Sequence, residues 1–141
     1  RIKPTTRDEL RTLIEQELEH QGPDADLNFI DTSLITDMSY LFEGFNRLHI
    51  KFFIRNIKID EWDVSNVTNM TRMFNICTQF NCDLSSWDVS NVNDMDYMFG
   101  HCYEFRCDLS GWKPNFRNLN STMFGSCTLM TDELRPSCRS N

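Results

Sequence analysis

The chain has 141 residues, 40% hydrophobic and 25% charged, with 14 Lys and Arg against 21 Asp and Glu for a formal charge of −7. That length supports one hydrophobic core, and the acidic balance argues against nucleic acid, since phosphate-tracking surfaces concentrate positive charge. No apolar run approaches the about 18 residues of a membrane span, so none is expected.

The first predicted element is a helix over residues 5–22. Thr6 and Glu9 form a capping box, Leu10, Leu13, Ile14 and Leu18 make a one-sided apolar stripe, and Gly22-Pro23 stops the helix. This helix is expected to cap the remainder of the domain. Because the chain begins at Arg1, a trimmed or processed product is expected, and the compartment stays open.

Beyond the helix the sequence repeats. Trp62, Trp87 and Trp112 are spaced by 25 residues, and so are Met73, Met98 and Met123, Phe74, Phe99 and Phe124, and Cys77, Cys102 and Cys127. The units divide as coil 1 over 27–62, coil 2 over 63–87, coil 3 over 88–112, and a degenerate coil 4 with the C-terminal tail over 113–141. In coil 4 Pro114, Arg117 and Asn120 replace the Val, Val and Met of its neighbours, as terminal repeats commonly vary. Asp31 to Asp63 spans 32 residues against 25 from Asp63 to Asp88, so coil 1 carries a seven-residue insertion between Glu43 and Lys58.

Trp-Asp-Val alternates inward and outward like a short strand, and Met-x-x-Met-Phe has the i, i+3, i+4 spacing of a helical turn. The expected fold is an α+β repeat solenoid: leucine-rich-repeat-like coils of a short parallel strand plus a helical turn, behind an N-terminal capping helix, in one domain.

The units W-D-V-S-N-V-T-N-M-T-R-M-F from Trp62 and W-D-V-S-N-V-N-D-M-D-Y-M-F from Trp87 resemble the BspA-like leucine-rich-repeat family, in its mycoplasma-lipoprotein form, over about residues 27–130. The resemblance implies a non-catalytic binding module of a bacterial surface or secreted protein, with a protein or glycan partner. Cys82 and Cys107 depart from the family's usual small or polar residue at that place.

Three sets of residues compete for a role. The cysteine column of Cys77, Cys102 and Cys127 reads as buried inert thiols, whereas Cys77, Cys82, Cys102 and Cys107 together admit a cysteine-based metal-binding or redox protein. Cys138, in the tail, is expected to be exposed. His101 beside Cys102 lacks a third orienting group, His20 and His49 lack partners at metal spacing, and no phosphate loop or hydrolase motif occurs, so neither an enzyme nor a cofactor is expected. The second set is the outward column Asp31, Asp63 and Asp88, which reads either as a ladder of turn hydrogen bonds or as an acidic partner-binding face. A calcium site there lacks a recognisable loop.

The third is the insertion. Phe45, Leu48, Ile50, Phe52 and Phe53 alternate with Arg47, His49, Lys51 and Arg55, giving one basic, apolar stretch in an acidic chain. An exposed apolar patch with a basic rim is expected there, for an acidic or amphipathic partner or for self-association of two chains. A structural spacer in a longer array is the remaining expectation.

Overall fold

The computed structural model describes residues 2–46, 48, 51–115 and 121–136, with Ser121 in backbone only. Arg47, His49, Ile50, Arg117, Asn120 and Cys138 lie outside the described residues. Helix α1 spans Arg7–Gln21 and buries Leu10, Ile14 and Leu18. Thr6 caps it by accepting the Glu9 amide at 3.1 Å, and Gly22, at φ 83°, closes it by donating its N–H to the Leu18 carbonyl. The capping box forms in an altered way: the Glu9 carboxylate takes the amide of Thr5, at 2.8 Å.

The expected α+β solenoid is not the structure. Among the described residues there is no strand and no sheet, only isolated parallel bridges joining Ile2 to Ile30, Asp26 to Lys58, Asp37 to Asn69 and Asn69 to Asp94. The expected helical turns are also absent from the second and third units, and short 3₁₀ turns occur at Ser121–Phe124 and Asp132–Leu134. Leucine-rich-repeat coil and solenoid are therefore the wrong descriptions; what repeats is a stack of β-turns.

From the end of the second unit through the third, the carbonyls of Leu84, Val89, Met95, Phe99 and Cys102 accept the amides of Trp87, Val92, Met98, Cys102 and Phe105, each three residues on, at 3.0–3.2 Å. Both ends of each turn are buried. An apolar residue every third position thus satisfies a chain of turns as well as it satisfies the spacing of a helix face, and two local features choose the turns. Asp83, Asp88 and Asp94 each accept the amide two residues ahead, near 3.0 Å, a local bond that competes with both helix and ladder. Tyr97 and His101 sit at φ 56° and 57°, where a right-handed helix cannot continue. The Phe74 amide accordingly donates to Met98 in the next layer at 2.8 Å, where a helix would have sent it to Met70.

Layers are joined by their side chains. Phe42, Phe74, Phe99 and Phe124 stack with ring centroids 5.2–5.5 Å apart and planes within 6°, and Trp87 lies over Trp112 at 6.4 Å. The indole N–H groups of Trp62, Trp87 and Trp112 donate to the carbonyls of Leu27, Ile59 and Leu84, at 2.8–3.0 Å. The thiols of Cys77 and Cys102 likewise donate to Phe42 and Phe74 carbonyls at 2.9 and 3.0 Å. At the first layer, where no earlier unit supplies amides, α1 takes over. Arg7 donates to the Ser39 carbonyl at 3.1 Å, an acceptor at the end of the stack, and Arg11 adds a second bond at 3.2 Å to the Tyr40 carbonyl, which already accepts the Glu43 amide.

Candidate functional site

Equivalent positions in successive layers stand above one another, so outward residues also form columns. Tyr40, Arg72 and Tyr97, offset by 32 and then 25 residues, occupy one column, all at positive φ. The Arg72 guanidinium lies 5.5 Å from the Tyr40 ring centroid and 5.9 Å from that of Tyr97, a cation between two aromatic faces. Glu43 adds a charge contact: its carboxylate stands 2.7 Å from Arg72 Nε, without hydrogen-bond geometry, and accepts from Asn75 Nδ2 at 3.1 Å. A neighbouring column holds Gly44, Ile76, His101 and Ser126, again at positive φ. His101 Nδ1 is 3.0 Å from the Tyr103 hydroxyl.

These side chains are open to solvent: Tyr40 is 41% exposed, Tyr97 49%, Tyr103 47% and Ile76 40%. Leu48, the insertion's one described apolar side chain facing outward, is 93% exposed. It adjoins the same face, because Asn46 holds the Leu48 amide at 2.8 Å while donating to the Ile76 carbonyl at 2.7 Å. The result is a patch of aromatic and aliphatic edges around one pinned guanidinium. Aromatic side chains and Arg are the groups enriched where proteins bind partners.

The insertion differs from the exposed apolar patch expected of it. Phe45, Ile54 and Ile57 are buried, Phe52 packs against the core with its ring 5.8 Å from Phe45, and Phe53 is half-buried. Seven added residues give enough chain for these groups to fold back onto the first layer, which burial favours. Lys51 is exposed and lies over the Phe52 ring at 5.3 Å. Arg55 forms a two-point ion pair with Asp24, through Nε at 2.9 Å and through Nη2, which holds the Asp24 carboxyl down at about 2. Arg47, His49 and Ile50 lie outside the described residues.

The acidic column has structural partners. Asp31, Asp63 and Asp88 each accept the amide of the Ser two residues on, at 3.0 Å, and Lys3 stands 3.9 Å from Asp31. Ser90's hydrogen bonds hold the Asp88 carboxyl below the usual range. Asn66 and Asn91, beside this column, donate to the Ser33 and Ser65 carbonyls of the preceding layer at 2.8 and 2.7 Å. Every polar residue of the Asp-Val-Ser-Asn motif is thus engaged in stacking or turning.

The cysteines are thiols where they are described. Burial pushes Cys77 and Cys102 well above the ordinary thiol range and Cys82 and Cys107 up to about 11, which keeps them protonated and poor as ligands or nucleophiles near neutral pH. Among the described residues no three His, Cys, Asp or Glu side chains converge on a point where a metal ion would sit. No helix there is long and apolar enough to cross a membrane.

Tyr40, Arg72 and Tyr97 belong neither to the inward columns nor to the Asp column that the sequence singles out. Their signal was nonetheless present: Met38, Met70 and Met95 share the offsets of 32 and 25 residues, and the second residue after each reads aromatic, cation, aromatic.

A family model described as "Mycoplasma protein of unknown function, DUF285" matches residues 12–136. No curated protein and no solved structure matches.

Proposed function

The chain belongs to this mycoplasma protein family of unknown function, and we propose that it is a non-catalytic recognition module that holds a protein or glycan partner on the face around Tyr40, Arg72 and Tyr97. The observation that carries this reading is the pinned arginine between two exposed tyrosines. As a device for stability the arrangement has little to offer: a cation–π contact at an exposed site contributes about 0.5–1 kcal/mol, an exposed ion pair about 0–1. Against that, a non-glycine residue in the left-handed region costs about 1–2 kcal/mol, and this face carries such residues at Tyr40, Arg72, Ile76, Tyr97 and His101. What the arrangement does supply is preorganisation, since side chains already held in place lose less entropy when a partner arrives.

The test is to probe peptide and oligosaccharide libraries with the chain and with a Tyr40→Asn/Tyr97→Asn variant. Asn tolerates the left-handed backbone, so the variant should keep its melting temperature. Ligands bound by the parent and lost by the variant support the reading. Equal binding by both, or no binding by the parent at micromolar concentration, sinks it and leaves a structural spacer.

A further inference from the structure

Side-chain amides serve this stack mainly as ties. Those of Asn46, Asn66 and Asn91 donate to carbonyls of a neighbouring layer at 2.7–2.8 Å, and those of Asn28 and Asn75 donate to carboxylates. A cleft of about 410 Å³ gathers amides that are used otherwise; it is lined by Arg55, Asn56, Gln79, Asn81 and Glu104. Its size falls within the roughly 300–1,000 Å³ of small-ligand sites. Layering brings these residues together: the Asn81 amide donates to the Arg55 carbonyl at 2.9 Å, and the Arg106 amide to Asn81 Oδ1 at 3.1 Å. The neighbouring layers at this place, 23–26 before it and 128–132 after it, are described throughout.

Among the described residues neither the Asn56 nor the Gln79 side chain makes a hydrogen bond, and Asn81 uses only its oxygen. Gln79 Oε1 is buried without a partner, a costly state for an acceptor and one the packing of the stack does not require. Asp24 holds the Arg55 guanidinium through Nε and Nη2, which orients it and leaves Nη1. The cleft therefore presents donors and acceptors interleaved, with its one cation already neutralised and Glu104 adding an exposed carboxylate.

We propose that this cleft binds a sugar unit of an uncharged glycan, at a site separate from the tyrosine face and independent of it. A hydroxyl both donates and accepts, and so does a carboxamide, so neighbouring hydroxyls match Asn56, Gln79 and Asn81 in kind. An anion would meet Glu104 and Asp24. A peptide brings side chains for which the five lining residues, all polar, offer no apolar surface.

The experiment follows the side-chain NH2 signals of Asn56, Gln79 and Asn81 by NMR while the full chain is titrated, to millimolar concentration, with cellobiose, maltose, lactose, N,N′-diacetylchitobiose and capped triglycine. At least one disaccharide should move these signals, and triglycine should not. Gln79→Met keeps the length of the side chain and removes the orphaned acceptor. It should melt no lower than the parent and bind that disaccharide about ten-fold more weakly. Asn56→Ala, at an exposed position, should weaken binding with no change in melting temperature, and Tyr40→Asn/Tyr97→Asn should bind the disaccharide as the parent does. The proposal is overturned if no disaccharide moves the three amides, or if Gln79→Met and Asn56→Ala both bind as the parent does. A lower melting temperature for Gln79→Met would give that amide a structural use and remove it from the site. If triglycine moves the amides and the sugars do not, the cleft takes a peptide main chain and the assignment to glycan falls.

Discussion

Along the Trp-Asp-Val-Ser-Asn side of each layer the outward residues repeat, Asp63 and Asp88, Ser65 and Ser90, Asn66 and Asn91, whereas along the Met-x-x-Met-Phe side they change. There Tyr40 is followed by Arg72 and Tyr97, and Gly44 by Ile76, His101 and Ser126. The repeating positions are bound to the stack: the aspartates cap turns and the asparagines tie one layer to the carbonyls of the last. The changing positions contribute mainly their backbone, whose amides join the layers at Arg72, Ile76 and His101, and their side chains are left free to differ. Outward repetition in this chain marks structural use, and outward variation marks the positions that the stack leaves free, on which the proposed recognition reading rests.

The comparison breaks most readily at its shared core. Trp87→Ala should remove a stacked ring and its indole bond to Ile59 together, at a cost of about 3–5 kcal/mol in urea unfolding. A loss of under about 1 kcal/mol would mean that the tryptophan column does not hold the layers.

The insertion gives a contrast of the same kind between neighbours. Phe52→Ser should cost about 1–3 kcal/mol because Phe52 packs against Phe45 and the core, while Leu48→Ser should change stability by less than about 0.5 kcal/mol. If sedimentation shows the parent self-associating and Leu48→Ser monomeric, the exposed face is occupied by a second copy. Equal melting temperatures for the two variants would contradict the packing of Phe52.

On the repeating side, Asp63→Ala should cost about 0.5–1.5 kcal/mol through the lost turn bonds to Ser65 and leave ligand binding unchanged. A drop in binding without a drop in stability would make the acidic column a partner surface after all. Acid should act on bonds of this kind at other aspartates. Asp83, Asp88 and Asp108 are held below the usual carboxylate range by Ser hydrogen bonds, and Asp24 near 2 by Arg55. Folding thus favours their charged forms, and the stability they contribute is present above the unfolded value of about 3.9 and lost as pH falls through the folded values. Urea midpoints should be flat from neutral pH down to about 5 and decline between about 4 and 2. A midpoint independent of pH in that window would show that the turn carboxylates contribute nothing.

The smallest effect tests the changing side. Ile76 is a β-branched residue at φ 62°, so Ile76→Asn should raise stability by about 0.5–1 kcal/mol and at the same time weaken binding to the exposed face. A destabilised variant would mean that the Ile76 side chain packs more than its exposure suggests.

Much was legible in the sequence by itself. The 25-residue period, the inward columns of Trp, Phe, Met and Cys, and the extra seven residues between Glu43 and Lys58 come from side-chain identity and spacing alone, because a stacked repeat must put like residues in like places. The tertiary structure decided the rest. Apolar residues three and four apart fit a helical turn and a run of β-turns equally well, and the choice came from where the Phe74 and Arg72 amides find acceptors, which is in the next layer. Strand or turn at Trp-Asp-Val was likewise decided by the carboxylate of Asp88 reaching the Ser90 amide. Whether Phe45 and Phe52 would face water or the core depended on how seven extra residues fold back. And only stacking could bring Tyr40, Arg72 and Tyr97 into contact, since residues 32 and 25 apart in the chain become neighbours solely because the layers between them have equal pitch.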